Sequence, residues 1–380
     1  MFWNHRSYLD YASGVSGNPS SPHEEGRLAK KMLEDARATI ARLTEVQSDD
    51  VIFTSGATES NALAILGHTR ARKANGGKDM HILYLPSSHA SIVENAKLLM
   101  TEGNVVEPLP IKDCRVDIEA LTKMLRSETT LISMDAVCGE TGVVWNTREV
   151  AHLLQTHVGR STSYMGERAL LHVDASQASL TEKMSRAHFG ADLLTLDASK
   201  VGETRGIGVL IAHQTIPIAP LYAGGGQERG LRSGSEAPKL ARNFAHTLSI
   251  VVHGREAFRA SAERERTLLI EAINNSVQNV YIQEGRFQAP QILNLSFPGR
   301  DTDYLVALLD EAGFAISSRS ACETDSKEGS RAVLALTGDP ERARATLRIS
   351  WGPDVRSSEL TRFARALARA VAFIDNSSHG

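Results

Sequence analysis

Apolar residues follow two rhythms along this chain. Over 23–43, Leu28, Met32, Leu33, Ala36, Ile40 and Leu43 recur at three- and four-residue spacing, which predicts a helix with one buried stripe. The next apolar block, "VIFT" (51–54), is short and continuous and predicts a buried strand, with a helix from about Ala57 after it. "HILYL" (81–85), "TTLISMD" (129–135), "ALLHVD" (169–174) and "DLLTLD" (192–197) repeat the strand signal, with helical patterns between several of them. This alternation predicts an α/β fold with a mostly parallel sheet covered on both faces. A long charged helical stretch around 238–278 breaks the rhythm. Beyond it, "QILNLSF" (291–297), a helix over 302–312, "TLRIS" (346–350) and a last helix near 358–374 predict a smaller α/β unit. The expected division is a large domain over 12–245 and a small C-terminal domain over 246–380 that also takes in residues 1–11.

Composition and charge narrow the function classes. A chain of 380 residues, 42% hydrophobic and 23% charged, has the makeup of an ordinary globular protein. Its net charge of −3 gives no electrostatic case for binding nucleic acid or a membrane surface. No apolar run approaches the roughly 18 residues that would span a bilayer. The opening "MFWNHRSYLDYASG" lacks the anatomy of a signal peptide, so a cytoplasmic location is expected. Cys114, Cys138 and Cys322 are too few and too scattered for a disulfide framework, and no CxxC or histidine pattern suggests a metal site.

Candidate chemistry collects at strand ends, where open α/β sheets bind ligands. "TSGATESN" (54–61) follows a strand and opens a helix. Its small residues let backbone N–H groups approach a phosphate at Gly56–Ala57–Thr58, although a capped helix start accounts for the same residues. In "HVDASQAS" (172–179), Asp174 ends a strand and could pair with a protonated ring nitrogen that Gln177 also reaches; helix capping is the alternative. In "LLTLDASKVGETRGIGVL" (193–210), Lys200 lies just past a buried strand, before a glycine-rich turn and another strand. Partial desolvation there would depress its pKa and suit it to a Schiff base, whereas a lysine in such a turn can equally point to solvent. Together, a phosphate cradle, a strand-end aspartate and a strand-end lysine are the parts that a pyridoxal phosphate enzyme needs. Cys322 stands in "SSRSACETDSKEGS" (317–330), a polar run that reads as a mobile surface loop, so its thiol is either incidental or a reagent.

The sequence resembles the cysteine desulfurases of the NifS/IscS type, in the class V aminotransferase group. The resemblance runs from "YLDYASG" (8–14) to "RISWGPDVRSSEL" (348–360), through "GNPSSPH" (17–23), "TSGATESNALAILG" (54–67), "HVDASQA" (172–178), "GGGQERGLRSGS" (224–235) and "SSRSACET" (317–324). It implies the fold-type I architecture of pyridoxal phosphate-dependent transferases: a large domain with a mostly parallel seven-stranded sheet, and a smaller C-terminal α/β domain. It further implies pyridoxal 5′-phosphate as cofactor. Lys200 would be the Schiff-base lysine and the base for the substrate's Cα proton. Asp174 would face the pyridinium, Gln177 the ring hydroxyl and His89, in "SSHASIVEN", the ring face, where it could also assist proton transfer. Ala57, Thr58 and Ser199 would contact the cofactor. Ser235 matches a threonine that reaches the phosphate from a neighbouring subunit, implying a homodimer. Arg348 would grip the substrate carboxylate. Cys322 would be the nucleophile that takes sulfur from L-cysteine as a persulfide, leaving L-alanine, and hands it to an acceptor protein.

Several positions depart from the family pattern. The segment before "GNPSSPH" is shorter than usual. In "CGETG" (138–142), Gly139 replaces an asparagine that contacts the ring hydroxyl. In "DASK" (197–200), Asp197 replaces a phosphate-binding serine and Ser199 a histidine. Two further functions therefore stand beside the desulfurase: a selenocysteine lyase or other class V lyase, and a degenerate paralogue serving as a sulfur-transfer scaffold.

Overall fold

The structure is a computed structural model that describes residues 6–77, 80–156, 168–318 and 329–377. Its central sheet has seven strands: β1 (Val51–Thr54), β2 (His81–Tyr84), β3 (Val105–Pro108), β6 (Thr129–Asp135), β7 (Leu170–Asp174), β8 (Leu193–Asp197) and β9 (Gly208–Ala212). Between them lies a small hairpin of β4 (Ile111–Lys112) and β5 (Arg115–Val116). The order across the sheet is β1-β9-β8-β7-β6-β2-β3, and only β9 runs antiparallel to its neighbours. β6, β8 and β9 read as continuous apolar runs because both faces are covered. Successive residues serve opposite sides: Val209 and Ile211 join one core cluster, Leu210 and Ala212 another.

Helix α1 (Glu24–Thr44) packs along one face. Its N-terminus is capped by His23, whose Nδ1 accepts from Gly26 N, and Glu24 and Glu25 complement the helix dipole. Its buried stripe is Ala29, Leu33, Ala36 and Ile40; Leu28, expected on that stripe, is instead 59% exposed. The other face is covered by α2 (Ala57–Ala62), which continues through a π stretch (Leu63–Gly67) into α3 (His68–Ala74), and by α4 (Ala90–Thr101). Shorter helices α5 (Ile118–Met124), α6 (Thr147–Thr156) and α7 (Arg186–Phe189) complete the layer structure.

The free side of edge strand β1 is closed by a buried ion pair. Arg37 donates to Val51 O and to both carboxylate oxygens of Glu228, and Glu228 accepts from Phe53 N. The exposed ladder groups of an edge are thus satisfied by side chains.

The charged stretch after β9 forms a single 39-residue helix, α8 (Pro238–Ser276). Its first half packs Phe244 and Leu248 into the core beneath the large sheet, and its second half packs Phe258, Leu269 and Ile273 into a separate C-terminal core. That second core lies against an antiparallel sheet of β10 (Tyr281–Gln283), β11 (Ile292–Ser296) and β12 (Thr346–Ser350). Helices α9 (Thr302–Glu311), α10 (Arg331–Thr337), α11 (Pro340–Arg344) and α12 (Ser357–Ser377) belong to the same half of the chain.

Candidate active site

β1 and β8 run in the same direction on either side of antiparallel β9, so their carboxyl ends both lie beside its first residue. Gly208 pairs with Thr54 on one side and Asp197 on the other. A Cβ on Gly208 would stand 2.8 Å from Gly56 Cα and from Leu196 O, so the absence of a side chain lets the α2 start close onto the end of β8. The strand ends and helix starts gathered here bound a cavity of about 300 Å³.

Seven of the expected site residues line this cavity: Ala57, Thr58, His89, Asp174, Gln177, Lys200 and Arg348. Asp174 ends β7 and is buried. Its Oδ2 accepts from Asn61 Nδ2 at 2.7 Å and its Oδ1 from Ser176 N at 2.9 Å. The same Asn61 amide donates to Ser91 Oγ at 2.8 Å, which lies 2.8 Å from His89 Nδ1. One chain of hydrogen bonds therefore fixes the Asp174 carboxylate and the His89 ring, which also caps α4. Below Asp174, His172 is held between Ser133 Oγ and Thr195 Oγ1, and burial lowers its pKa to about 4, so it stays neutral.

Lys200 ends a short 3₁₀ turn directly after β8 and is exposed within this chain. Arg348 projects from β12 and donates to Gly139 O at 3.2 Å, joining the C-terminal sheet to the segment after β6. Gln177 packs where a side chain on Gly139 would lie: a Cβ there would be 3.0 Å from Gln177 Nε2.

Ser199 does not line the cavity; its backbone N–H donates to Asp197 Oδ1 at 2.8 Å. Ser235 is exposed and outside the cavity within this chain. Cys322 lies outside the described residues. The chain on its near side is anchored at the site, since Ser317 and Arg348 exchange backbone hydrogen bonds at 3.3 and 2.7 Å. On its far side, Arg331 and Ala332 line the cavity.

Sequence reasoning missed Asp135, Ser88, Asn61 and Arg331. Asp135 ends β6 in register with Asp174, and its Oδ1 accepts from Ser88 Oγ at 2.7 Å. Burial pushes its pKa up to about 7, and the neighbouring Asp174 charge acts in the same direction. The strand-end rule that drew attention to Asp174 applies equally to "SMD" (133–135). Arg331 donates to Ser88 O at 3.4 Å and Glu94 Oε1 at 3.2 Å; no sequence motif marks it. Cys138 is a buried wall residue whose thiol burial pushes up to about 12, so it is a packing group here. Cys114 sits at positive φ in the β4–β5 turn, as its sequence context suggests.

The family model for Aminotransferase class-V matches residues 6–363. Cysteine desulfurase IscS 1 of Archaeoglobus fulgidus is 32% identical over 96% of this chain and 92% of its own length. The chain belongs to the class V aminotransferases, among the cysteine desulfurases of the NifS/IscS type. Solved structures agree with this membership. A NifS-like protein superposes with a TM-score of 0.84 at 25% identity, covering 96% of this chain and 93% of that one. DndA from Streptomyces lividans superposes at 0.72 with 29% identity, covering 91% and 94%. Family likeness thus spans the segments that form the sheet, the cavity and the C-terminal sheet.

Proposed function

We propose that this protein is a pyridoxal phosphate-dependent cysteine desulfurase that converts L-cysteine to L-alanine and passes the sulfur to Cys322. The reading rests above all on Asp174 and Lys200, from adjacent strands, opening onto one cavity with the guanidinium of Arg348 on its wall.

The cavity residues fit the ring and aldehyde of the cofactor. A buried, doubly hydrogen-bonded carboxylate suits a protonated ring nitrogen. Ser87 and Ser176 line the cavity with buried hydroxyls that have no hydrogen-bond partner among the described residues, which suits a polar ligand. At the phosphate end, the N–H groups of the α2 start are present, with Asp197 beside them.

When bound, pyridoxal phosphate supplies an electron-withdrawing ring that stabilises negative charge at the substrate's Cα. Asp174, fixed in place by Asn61 and the Ser176 N–H, would favour a protonated ring nitrogen. Lys200 would hold the cofactor by its aldehyde, and its freed amine would hold the proton taken from the substrate's Cα. Arg348 orients the substrate through its carboxylate. The Cys322 thiolate would attack the substrate sulfur: an S–S bond forms as the substrate Cβ–S bond breaks, Cβ takes a proton in place of the sulfur, and the proton held by Lys200 returns to Cα to give alanine. The persulfide sulfur then goes to an acceptor protein, with L-cysteine as the substrate that reloads the cycle. Exposed Ser235 fits a homodimer in which it serves the partner's cavity.

The test is alanine formation from L-cysteine, with a thiol reductant and added pyridoxal phosphate. Wild type should form alanine, and Lys200→Ala and Cys322→Ala should each lose at least about 100-fold. Undiminished turnover in Cys322→Ala would overturn the persulfide step and favour a class V lyase acting on cysteine or selenocysteine. No alanine from any form, with the fold intact, would favour the scaffold.

A further inference from the structure

The N-terminal N–H groups of α2 point toward an anion, and this chain supplies one itself. Asp197 Oδ2 accepts from Ala57 N at 2.8 Å, while Oδ1 accepts from Ser199 N at 2.8 Å. Oδ2 would also lie 3.3 Å from a Cβ on Gly56, whose φ of +151° and lack of a side chain leave the approach open. The helix behind this start continues unbroken through Leu63–Gly67 to Ala74, so its dipole favours negative charge there. Asp197 lines the same cavity as Ala57, Thr58 and Lys200, at the end of β8, one strand away from Asp174.

We propose that Asp197 is a built-in competitor for the cofactor's phosphate and sets the site's selectivity for the tail of the pyridine ligand. The inference rests on the cofactor reading above. A phosphate dianion can take the Ala57 N–H only by displacing the carboxylate, and the displaced carboxylate remains a like charge close by. The site therefore binds pyridoxal phosphate more weakly than its cradle would allow. It discriminates little between pyridoxal phosphate and pyridoxal, which has the same ring and aldehyde without the phosphate.

Two substitutions separate charge from shape. Asp197→Asn keeps the outline but only one acceptor oxygen, which can serve Ala57 N or Ser199 N, the NH2 facing the other position. Asp197→Ser removes the bulk and leaves a hydroxyl able to cap the turn. Cofactor-free wild type and both variants are titrated with pyridoxal phosphate and with pyridoxal, reading bound-aldehyde absorbance, after thermal unfolding has established equal folding. Both variants should bind pyridoxal phosphate roughly 10- to 100-fold more tightly, with Asp197→Asn giving most of the gain. Pyridoxal affinity should move less than about threefold, because no charge meets its tail. Unchanged or weaker pyridoxal phosphate binding in both variants overturns the proposal. So does an equal gain for the two ligands, which would assign Asp197 to pocket packing. Failure of every form to bind either aldehyde would overturn the cofactor reading and this inference with it.

Discussion

Asp174 and Asp197 end neighbouring strands of one sheet and open onto one cavity, yet the fold uses them differently. Asp174 is buried, and one of its oxygens is held by the Asn61 side-chain amide, itself tied through Ser91 to His89. Asp197 is half-buried and, among the described residues, accepts from backbone N–H groups at the α2 start and within its own turn. A strand end gives a carboxylate access to a ligand. Its partners then decide whether it serves that ligand or occupies its place. On the proposed cofactor reading, the carboxylate at the ring end would be a prepared counter-charge for a cation, and the one at the tail end would stand where another anion would go.

The largest effect should come from Asp174. Asp174→Asn keeps the shape and removes the charge, so kcat/KM for alanine formation should fall on the order of 10³-fold at saturating pyridoxal phosphate, as when a preorganised partner of developing charge is lost. Asp197→Asn, assayed in parallel, should leave saturated turnover within about threefold, since its effect is on affinity for the tail. Equal losses at the two positions would erase the distinction. A loss at Asp197 alone would reverse it.

How much of this contrast was legible in the sequence depends on which physical signal carried each part. "VIFT" and "TTLISMD" match β1 and β6 because strands covered on both faces are buried along their length, and "TLRIS" matches β12 by alternation, with Leu347 and Ile349 in the core and Arg348 on the cavity side. β3 and β10 were not legible. Each is a short strand at a sheet edge with exposed positions, so neither carries a run. The substitution at Asp197 was visible, but its capping of Ala57 N was not. That contact depends on antiparallel β9 placing Gly208 between the two strand ends, a pairing made by residues far apart in the chain. Asp135 was legible in principle as another strand-end carboxylate, but its protonation depends on burial and on Asp174 next to it.

That protonation gives the next effect in size and extends the contrast to a third aspartate. The ordinary carboxyl value is near 3.8 and the folded value is about 7. As pH rises through this window the unfolded state releases a proton that the folded state keeps, so wild-type stability falls between about pH 4 and 7 and levels off above it. The shift sets a ceiling of about 4 kcal/mol. Asp135→Asn has no proton to lose and can still accept from Ser88. It should be more stable than wild type by about 1–3 kcal/mol at pH 8, with the difference vanishing near pH 4, in urea unfolding of the cofactor-free protein. A difference that does not change with pH would mean that Asp135 is ionised beside Asp174, and the ring end would then hold two charges rather than one.

The smallest effect should be at Gly139, a cavity-wall position where the resemblance leads one to expect an asparagine. No positive φ is involved, so an asparagine there meets no backbone strain, only the Gln177 side chain 3.0 Å from its Cβ. Because Gln177 Nε2, Cγ and Cδ all lie 3.0 to 3.3 Å from that Cβ, the glutamine side chain has to shift as a whole by a few tenths of an ångström, and the added amide can stand in for the contact it displaces. Gly139→Asn should therefore change stability by less than about 1 kcal/mol and pyridoxal phosphate affinity by only a few-fold. Measured beside Asp197→Ser, it asks which end of the cavity limits cofactor binding. If the tail is the weak end, restoring the asparagine cannot match the gain from removing the carboxylate, because a neutral hydrogen bond exchanged for another yields far less than the relief of two adjacent like charges. A gain at Gly139 larger than that at Asp197 would make the ring hydroxyl's missing partner the limiting feature and leave Asp197 as a capping residue that moves aside at little cost.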